Sequence, residues 1–365
     1  MLHGKNVAND AKMPKVAIIG GTGYGGAELC RLLMGHPGVE LTRVTSIDHV
    51  DEPIESVHLN LHRTGLRFEN IPPAEAVEGV DVVFLALPHK VSATLAPDLE
   101  GASAKIIDLS GDFRLRDAAA YGEFYGVEHP HPQHLGSFTY GMPELNREAI
   151  ASANRVASPG CFATTIALGL LPLAHAGLLR GAIHTVAATG SSGSGAYAKQ
   201  GTHHPLRAAN LKIYKPLVHQ HTPEIEQTLR DACQKGGHDA DFSLQFVPVS
   251  APLPRGILAN SFVQVPTDVD AERIDQLFHD FYEGAAFVRL LGRGARQSEV
   301  VSIKGSMWAD VSWTVGEVVG GHRQLLTTSA LDNLVKGGAG QAVQSMNIML
   351  GLPETTGIDA PALWP

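Results

Sequence analysis

Lys15-Val16-Ala17-Ile18-Ile19-Gly20-Gly21-Thr22-Gly23-Tyr24-Gly25-Gly26-Ala27-Glu28-Leu29-Cys30-Arg31-Leu32-Leu33-Met34 places a short apolar run, a glycine-rich turn and an amphipathic stretch in direct succession. An apolar run closed by glycine reads as a buried strand, so Lys15–Gly20 is predicted as strand and Ala27–Met34 as helix. Between them Gly21, Gly23 and Gly26 keep the G-x-G-x-x-G spacing. Such glycines let the backbone approach a pyrophosphate, and the N-terminus of the next helix receives its charge. The strand before and the helix after distinguish this from a glycine turn in a bare structural βα unit.

The same alternation continues outward. Val39–Ser46, Gly79–Pro88 and Lys105–Ser110 read as further buried strands, with a helix predicted from about Val91 after Pro88 closes its strand. Strands alternating with helices specify a parallel, doubly wound sheet, that is, an α/β Rossmann-type domain. The second strand ends at Ser46-Ile47-Asp48, where an adenosine ribose is met. An acid there favours a free 2′-OH, whereas Ser, Thr or Arg tolerate a 2′-phosphate. Arg43, Ser46 and Asp48 point in different directions, and Asp48 is equally explained as a solvated loop residue.

After Ser110 the chain turns to Gly, Tyr, His and Pro, through Tyr121–Tyr125 and Tyr140–Glu144. A long irregular stretch inside a globular chain is more often functional than idle. Arg155–Ala157 is a further strand. Ala182–Ala188 opens a second domain, and Phe242–Val249 and Ile257–Val265 alternate with period two. These read as antiparallel strands with one open face, suited to covering a partner subunit. Asp270–Tyr282 and Gln341–Leu350 are predicted helices. The expected organisation is a flexible extension over 1–14, a cofactor domain over 15–157 plus 331–365, and an α+β catalytic and oligomerisation domain with a mixed, largely antiparallel sheet over 158–330.

Composition narrows the function classes. The 365 residues are 44% hydrophobic with a formal net charge of −9, and they hold no dense Lys/Arg block. Nucleic acid is therefore not an expected partner. No apolar run reaches membrane-spanning length, and Met1–Pro14 lacks the apolar core of a secretory signal, so a cytoplasmic protein is expected. Cys30, Cys161 and Cys233 are odd in number and widely spaced, which suggests neither a disulfide framework nor a metal site.

Of the three, only Cys161 follows a Pro-Gly break, in Ala157-Ser158-Pro159-Gly160-Cys161-Phe162-Ala163-Thr164. This predicts Cys161 in the first turn of a helix, where unpaired N–H groups and the dipole favour the reactive thiolate. A small buried hydrophobe is the competing reading. A thiol nucleophile needs a base, and His219-Gln220-His221-Thr222-Pro223-Glu224 offers one. Thr222 is expected as N-cap, Pro223 at the first position and Glu224 in the first turn. His221 then sits at a rigid junction, and Glu224 either folds back to fix its tautomer or only complements the dipole. Arg114 follows a strand end, where ligands gather, and its guanidinium suits a substrate carboxylate. A loop ion pair with Asp112 or Asp117 explains it equally.

Gly-Thr-Gly-Tyr-Gly-Gly, Asp-Leu-Ser-Gly-Asp-Phe-Arg, Tyr-Gly-Met-Pro-Glu-Leu, Ser-Pro-Gly-Cys-Phe-Ala-Thr, His-Thr-Pro-Glu-Ile-Glu and Asp-Asn-Leu-Val-Lys-Gly-Gly-Ala-Gly-Gln-Ala occur in that order. Together, from Lys15 to Ile358, they resemble the N-acetyl-γ-glutamyl-phosphate reductase family, related to aspartate-semialdehyde dehydrogenase. The resemblance implies an NADP(H)-dependent reduction of N-acetyl-γ-glutamyl phosphate to N-acetylglutamate 5-semialdehyde and phosphate, in arginine biosynthesis, by a homodimer or homotetramer. It implies Cys161 as nucleophile, His221 as acid/base with His219 the less favoured occupant, and Glu224 as its orienting carboxylate. Arg114, with Ser191 and His219, would meet the substrate. Cofactor contacts would come from Gly20, Thr22, Gly23, Tyr24, Gly25, Ser46, Leu87, Pro88, Ser110, Gly193, Asn333 and Gln341. Two stretches depart from the family pattern: Ser46-Ile47-Asp48, which bears on NADP against NAD, and Ser192–Tyr214, which bears on substrate recognition. Rival readings are a reductase of aspartyl phosphate or of a carrier-linked glutamyl or aminoadipyl phosphate, the latter docking on Lys199, Arg207, Lys212 and Lys215. A non-catalytic dinucleotide-binding module is the rival of a different class.

Overall fold

Val16, Ala17 and Ile18 are wholly buried at the centre of the first sheet in the computed structural model, which describes residues 13–294 and 296–364. This sheet comprises β1 (Lys15–Ile19), β2 (Glu40–Thr45), β3 (Phe68–Glu69), β4 (Val82–Leu85), β5 (Lys105–Asp108), β6 (Thr139–Tyr140) and β7 (Arg155–Ala157). Their order is β3-β2-β1-β4-β5-β7-β6, and every pair is parallel. Unbroken apolar runs suit a sheet covered on both faces. The order reverses between β1 and β4. Ligands bind outside the carboxyl ends of strands at such a switch point, and the glycine turn and Leu87-Pro88 both lie there.

The helix expected from Val91 is absent. Short 3-10 turns at Ser92–Leu95 and Pro97–Leu99 replace it. Pro97 cannot donate a helical hydrogen bond, and the Asp112 carboxylate accepts from Lys90 N–H (2.7 Å) and Ala93 N–H (2.9 Å) at the start of the segment. The irregular stretch after Ser110 carries helices Ala118–Tyr125 and Pro143–Ser152.

The second sheet comprises β8 (Arg180–Thr189), β9 (Lys212–Ile213), β10 (Asp241–Ser250), β11 (Ile257–Val265), β12 (Val288–Gly292), β13 (Ala309–Val319) and β14 (His322–Leu331), in the order β12-β13-β14-β11-β8-β10-β9. It is mixed and largely antiparallel. β10, expected antiparallel, is so only to β9 and runs parallel to β8. A parallel pair needs a long crossover, here the segment containing helix Thr222–Lys235.

Period-two burial holds along β8, with Ile183, Thr185 and Ala187 inside and Val186 exposed. Helix Cys161–His175 covers the inner face and is buried from Phe162 to Ala174. The outer face leaves Val186 and Phe262 in solvent. The C-terminal helix Gly340–Met349 returns to the first core, where Ala342, Val343 and Met346 join Leu29 and Leu33. Among the described residues no helix is long and apolar enough to cross a membrane. The extension expected over 1–14 lies, apart from Met13 and Pro14, outside the described residues.

Candidate active site

Packing explains two glycines of the turn and access explains the others. A Cβ on Gly21 would fall 2.1 Å from Val44 Cγ1, and one on Gly26 would fall 2.4 Å from Gly21 O. Gly23 faces open space, and Gly25 meets only Leu109 Cδ2 at 3.9 Å. The helix starts at Tyr24, ahead of the expected Ala27, because extended Gly23 (φ −75°, ψ 171°) serves as its N-cap. Gly23 offers no capping side chain, so the first-turn N–H groups remain for a phosphate. Gly20 has φ +89°, and Leu87 Cδ2 lies 2.7 Å from where its Cβ would be, so both strand ends meet beside the turn. Thr22, Tyr24 and Pro88 belong to the segments that follow β1 and β4 at these strand ends.

The two serines expected at the cofactor have other work. Buried Ser46 Oγ accepts from Asp48 N–H (3.1 Å) and His49 N–H (3.4 Å), shaping the turn that displays Asp48. Asp48 Oδ2 accepts from Tyr197 O–H (2.8 Å), which reaches across from the second domain. Buried Ser110 Oγ donates to Asp108 Oδ2 (2.7 Å) and accepts from Asp112 N–H (3.1 Å). Burial pushes the Asp108 carboxyl up to about 6.

Cys161 is the first residue of its helix, with extended Gly160 (φ −69°, ψ 147°) as N-cap. The expected drop in thiol pKa does not follow. Burial pushes it up to about 11, outweighing the Arg114 charge and the Phe162 N–H that favour the thiolate. On the far side Gly337, in the π-turn Val335–Ala339, packs so closely that a Cβ there would sit 2.9 Å from Cys161 Cβ.

His221, not Thr222, is the N-cap of helix Thr222–Lys235, and the Thr222 hydroxyl is buried without a partner. A Cβ on Gly160 would lie 2.4 Å from His221 Nε2 and 2.8 Å from Arg114 Nη1, so both groups converge on the residue beside Cys161. His221 N–H donates to His219 Nδ1 (3.2 Å), which places His219 behind His221. His219 is held edge-on by Phe162, Tyr214 and Phe246. Burial lowers the His221 pKa well below 6.5 and takes that of His219 down to about 3, so both rings are neutral near pH 7.

Glu224 does not hydrogen-bond to His221. Its Oε1 accepts from Gly160 N–H (2.7 Å) and Tyr140 O–H (2.9 Å), and its Oε2 lies 3.4 Å from Arg114 Nη1. Arg114 pairs with this carboxylate, not with Asp112 or Asp117, and also donates to Ser158 O and Leu109 O (2.8 Å each).

Ser191 opens a 3-10 turn pinned by its N–H to Leu253 O (2.8 Å). Gly193 is exposed, 3.8 Å in Cβ terms from Asn333 Nδ2. Asn333 bridges that turn to β11, donating to Ser192 Oγ (3.0 Å) and accepting from Gly256 N–H (2.7 Å). Gln341 is wholly buried, accepting from Thr164 O–H (2.9 Å) and donating to Gly141 O (3.1 Å). Its amide ties helix Cys161–His175 to the turn at Gly141.

Three side chains went unnoticed in the sequence. His89 Nδ1 accepts from Gly111 N–H (2.7 Å), which leaves Nε2 as the protonated nitrogen. Burial and the Arg114 charge take its pKa down to about 4. Its place directly after the β4 end was the available signal. Tyr214 packs edge-on to His219 at 5.7 Å, and Tyr140 holds Glu224. Positive φ at Lys90 (74°), Lys215 (43°) and Leu217 (65°) marks strained backbone in the loops bearing His89 and His219. Among the described residues no His/Cys/Asp/Glu group could hold a metal ion.

The chain matches the family models "Semialdehyde dehydrogenase, NAD binding domain" over residues 15–153 and "Semialdehyde dehydrogenase, dimerisation domain" over 161–333. A Thermomicrobium roseum protein named putative [LysW]-L-2-aminoadipate 6-phosphate reductase is 42% identical over 96% of this chain and 99% of its own. A Desulfotalea psychrophila protein named N-acetyl-gamma-glutamyl-phosphate reductase is 39% identical over 97% of this chain and 100% of its own. The aspartate semialdehyde dehydrogenase II of Vibrio cholerae, solved with ASA, shares the fold with TM-score 0.69 at 19% identity, over 93% of this chain and 99% of that one. With both domain models matched and full-length relatives this similar, the chain belongs to the semialdehyde dehydrogenases and, among them, to the N-acetyl-γ-glutamyl-phosphate reductase family.

Proposed function

We propose that this chain catalyses the reversible reduction of N-acetyl-γ-glutamyl phosphate to N-acetylglutamate 5-semialdehyde and phosphate, with NADPH as reductant, in the cytoplasm. The observation that carries the reading is the convergence of His221 Nε2 and Arg114 Nη1 on Gly160, next to Cys161. Neutral His221 takes the thiol proton as Cys161 Sγ bonds to the acyl carbon. The C–O bond to phosphate breaks, and a thioester remains on Cys161. NADPH, when bound along the Gly20–Gly25 turn and Leu87-Pro88, supplies hydride chemistry. The imidazolium of His221 then returns its proton to the carbonyl oxygen as the thioester is reduced. Breaking the C–S bond releases the aldehyde and restores the thiol. Arg114, although paired with Glu224, retains Nη hydrogens for a substrate carboxylate.

We assign 15–157 plus 331–365 to the cofactor domain and 158–330 to the catalytic domain, supported by two cores that follow this division apart from Met142 and Leu331 in the one and Phe287 and Met307 in the other. The solvent-facing side of the second sheet, with Val186 and Phe262, is assigned to a homodimer contact.

The test is the reverse reaction with N-acetylglutamate semialdehyde, phosphate and NADP⁺, with Cys161→Ser and NAD⁺ in parallel. Phosphate-dependent cofactor reduction that vanishes in Cys161→Ser supports the reading. No turnover by folded, cofactor-binding protein overturns the acetylated substrate. Because of the Thermomicrobium roseum relative's name, carrier-linked aminoadipate semialdehyde is the next substrate to test.

A further inference from the structure

In a capping box, the acid at the third helical position turns back to the N-cap N–H of its own helix. Glu224 holds that position in helix Thr222–Lys235, whose N-cap is His221. Its carboxylate nevertheless reaches the N-cap N–H of a different helix, that of Cys161, at 2.7 Å from Gly160 N. The N–H that Glu224 forgoes is taken by His219 Nδ1. Glycine at position 160 has no side chain with which to cap its helix. The Tyr140 hydroxyl, from the end of β6, fixes the second lone pair of Oε1 at 2.9 Å. Glu224 is 1% exposed, so this is a dry, three-way junction.

We infer that Glu224 and Tyr140 are positioning residues that lock the nucleophile's helix to the acid/base's helix through Gly160, and that the Glu224 carboxylate, by offsetting part of the Arg114 charge, adds to the burial that keeps Cys161 in its thiol form until substrate arrives. This rests on the reading of Cys161 as nucleophile. The geometry supplies the reason. Two helix N-termini, each carrying one reacting group, meet at one carboxylate, and buried charge-assisted hydrogen bonds are short and stiff. A negative charge beside the thiol disfavours thiolate, while the Arg114 charge opposes it. The charged and titratable groups within electrostatic reach of the thiol are Arg114 from the turn after β5, Glu224 from the start of helix Thr222–Lys235 and Tyr214 from the loop before it, with His221 Nε2 beside Gly160. Those facing the carboxylate are Arg114, Tyr140 and Tyr125.

The test pairs Glu224→Gln with Tyr140→Phe. Each is read by steady-state kinetics and by the pH profile of iodoacetamide alkylation at Cys161, with Cys30 and Cys233 as internal controls. Glutamine can still accept from Gly160 N–H but carries no charge. Glu224→Gln is expected to alkylate several-fold faster at pH 7.5 while kcat falls roughly tenfold. Reactivity and turnover therefore move in opposite directions. Tyr140→Phe is expected to lower kcat with little change in KM. Glu224→Asp, too short to span Gly160 and Tyr140 together, should restore the slow alkylation without the full rate.

An unchanged alkylation profile in Glu224→Gln, or unchanged kcat in both variants, overturns the inference. Faster alkylation of all three cysteines would mean loosened structure and would overturn it too. Turnover retained in Cys161→Ser would instead sink the underlying reading.

Discussion

Substituting Gly160 by alanine separates catalysis from stability. The backbone there has φ −69° and ψ 147°, which any residue adopts. On that ground alone Gly160→Ala would stabilise the fold by about 0.4–1 kcal/mol, because the unfolded chain loses freedom. The added methyl, however, would lie 2.4 Å from His221 Nε2, 2.8 Å from His221 Cδ2 and 2.8 Å from Arg114 Nη1. Comfortable heavy-atom contact begins near about 3.5 Å, so the imidazole must retreat by about 1 Å. It has little room, with its backbone N–H tied to His219 and its ring edge-on to His219 (4.8 Å) and Phe162 (6.0 Å).

A displacement of about 1 Å costs roughly a hundredfold in rate, or about 2.7 kcal/mol of transition-state stabilisation. The assay is kcat/KM in the reverse direction beside a thermal melt. A hundredfold loss with a melting temperature within a few degrees of the parent supports the argument. A kcat/KM within threefold of the parent refutes the claimed crowding of His221 against Gly160.

Gly337→Ala presses on the nucleophile from the other side, with a Cβ 2.9 Å from that of Cys161. It should lower kcat by about tenfold or more and slow alkylation of Cys161, and equal alkylation rates would refute it. With the free thiol at about 11, alkylation of the resting protein should climb steadily from pH 7 to 10, and a plateau near pH 7 would contradict the burial argument. His219 is depressed in the fold to about 3 from an ordinary 6.5, so below pH 6.5 the unfolded chain binds the extra proton. Stability is therefore intact above about pH 6.5 and falls toward pH 3, which urea melts should show less steeply for His219→Gln. Gln341→Leu strands the Thr164 hydroxyl and Gly141 carbonyl, costing about 2–4 kcal/mol in melts while leaving the NADP⁺ KM near the parent value. A raised cofactor KM without destabilisation would return Gln341 to the cofactor site.

The strand–turn–helix at Lys15–Met34 was legible because every local rule there agrees with the tertiary outcome. Apolar continuity makes β1, and Gly21 and Gly26 are glycines because Val44 and the turn itself leave no space for a Cβ. β11 was legible end to end since its alternation matches one buried face. The β8–β10 pairing was not, because period two reports a half-buried strand and is silent on direction. The helix after Pro88 failed for a different reason. Pro97 has no N–H to give, and the segment closes instead into the short 3-10 turns Ser92–Leu95 and Pro97–Leu99, which an apolar pattern alone does not announce. His89 escaped notice as one of 18 histidines, distinguished only by what the fold sets beside it.

The site shows the same limit at the level of single groups. Local reasoning made Cys161 acidic, because a helix N-terminus favours an anion. The fold adds a larger opposing effect, since the first turn is sunk against Gly337 and Phe162 where an unpaired charge is poorly solvated. His221 is shifted by the same burial toward neutrality. A thiol made less acidic and an imidazole made less basic form a pair whose proton stays on sulfur at rest. Transfer to Nε2 then becomes favourable only when bond formation to an acyl carbon removes the charge from sulfur. A site built this way resists adventitious alkylation and couples proton transfer to attack. Under the proposed mechanism, the same desolvation that defeats the simple helix-dipole expectation confines the reactivity of Cys161 to its substrate.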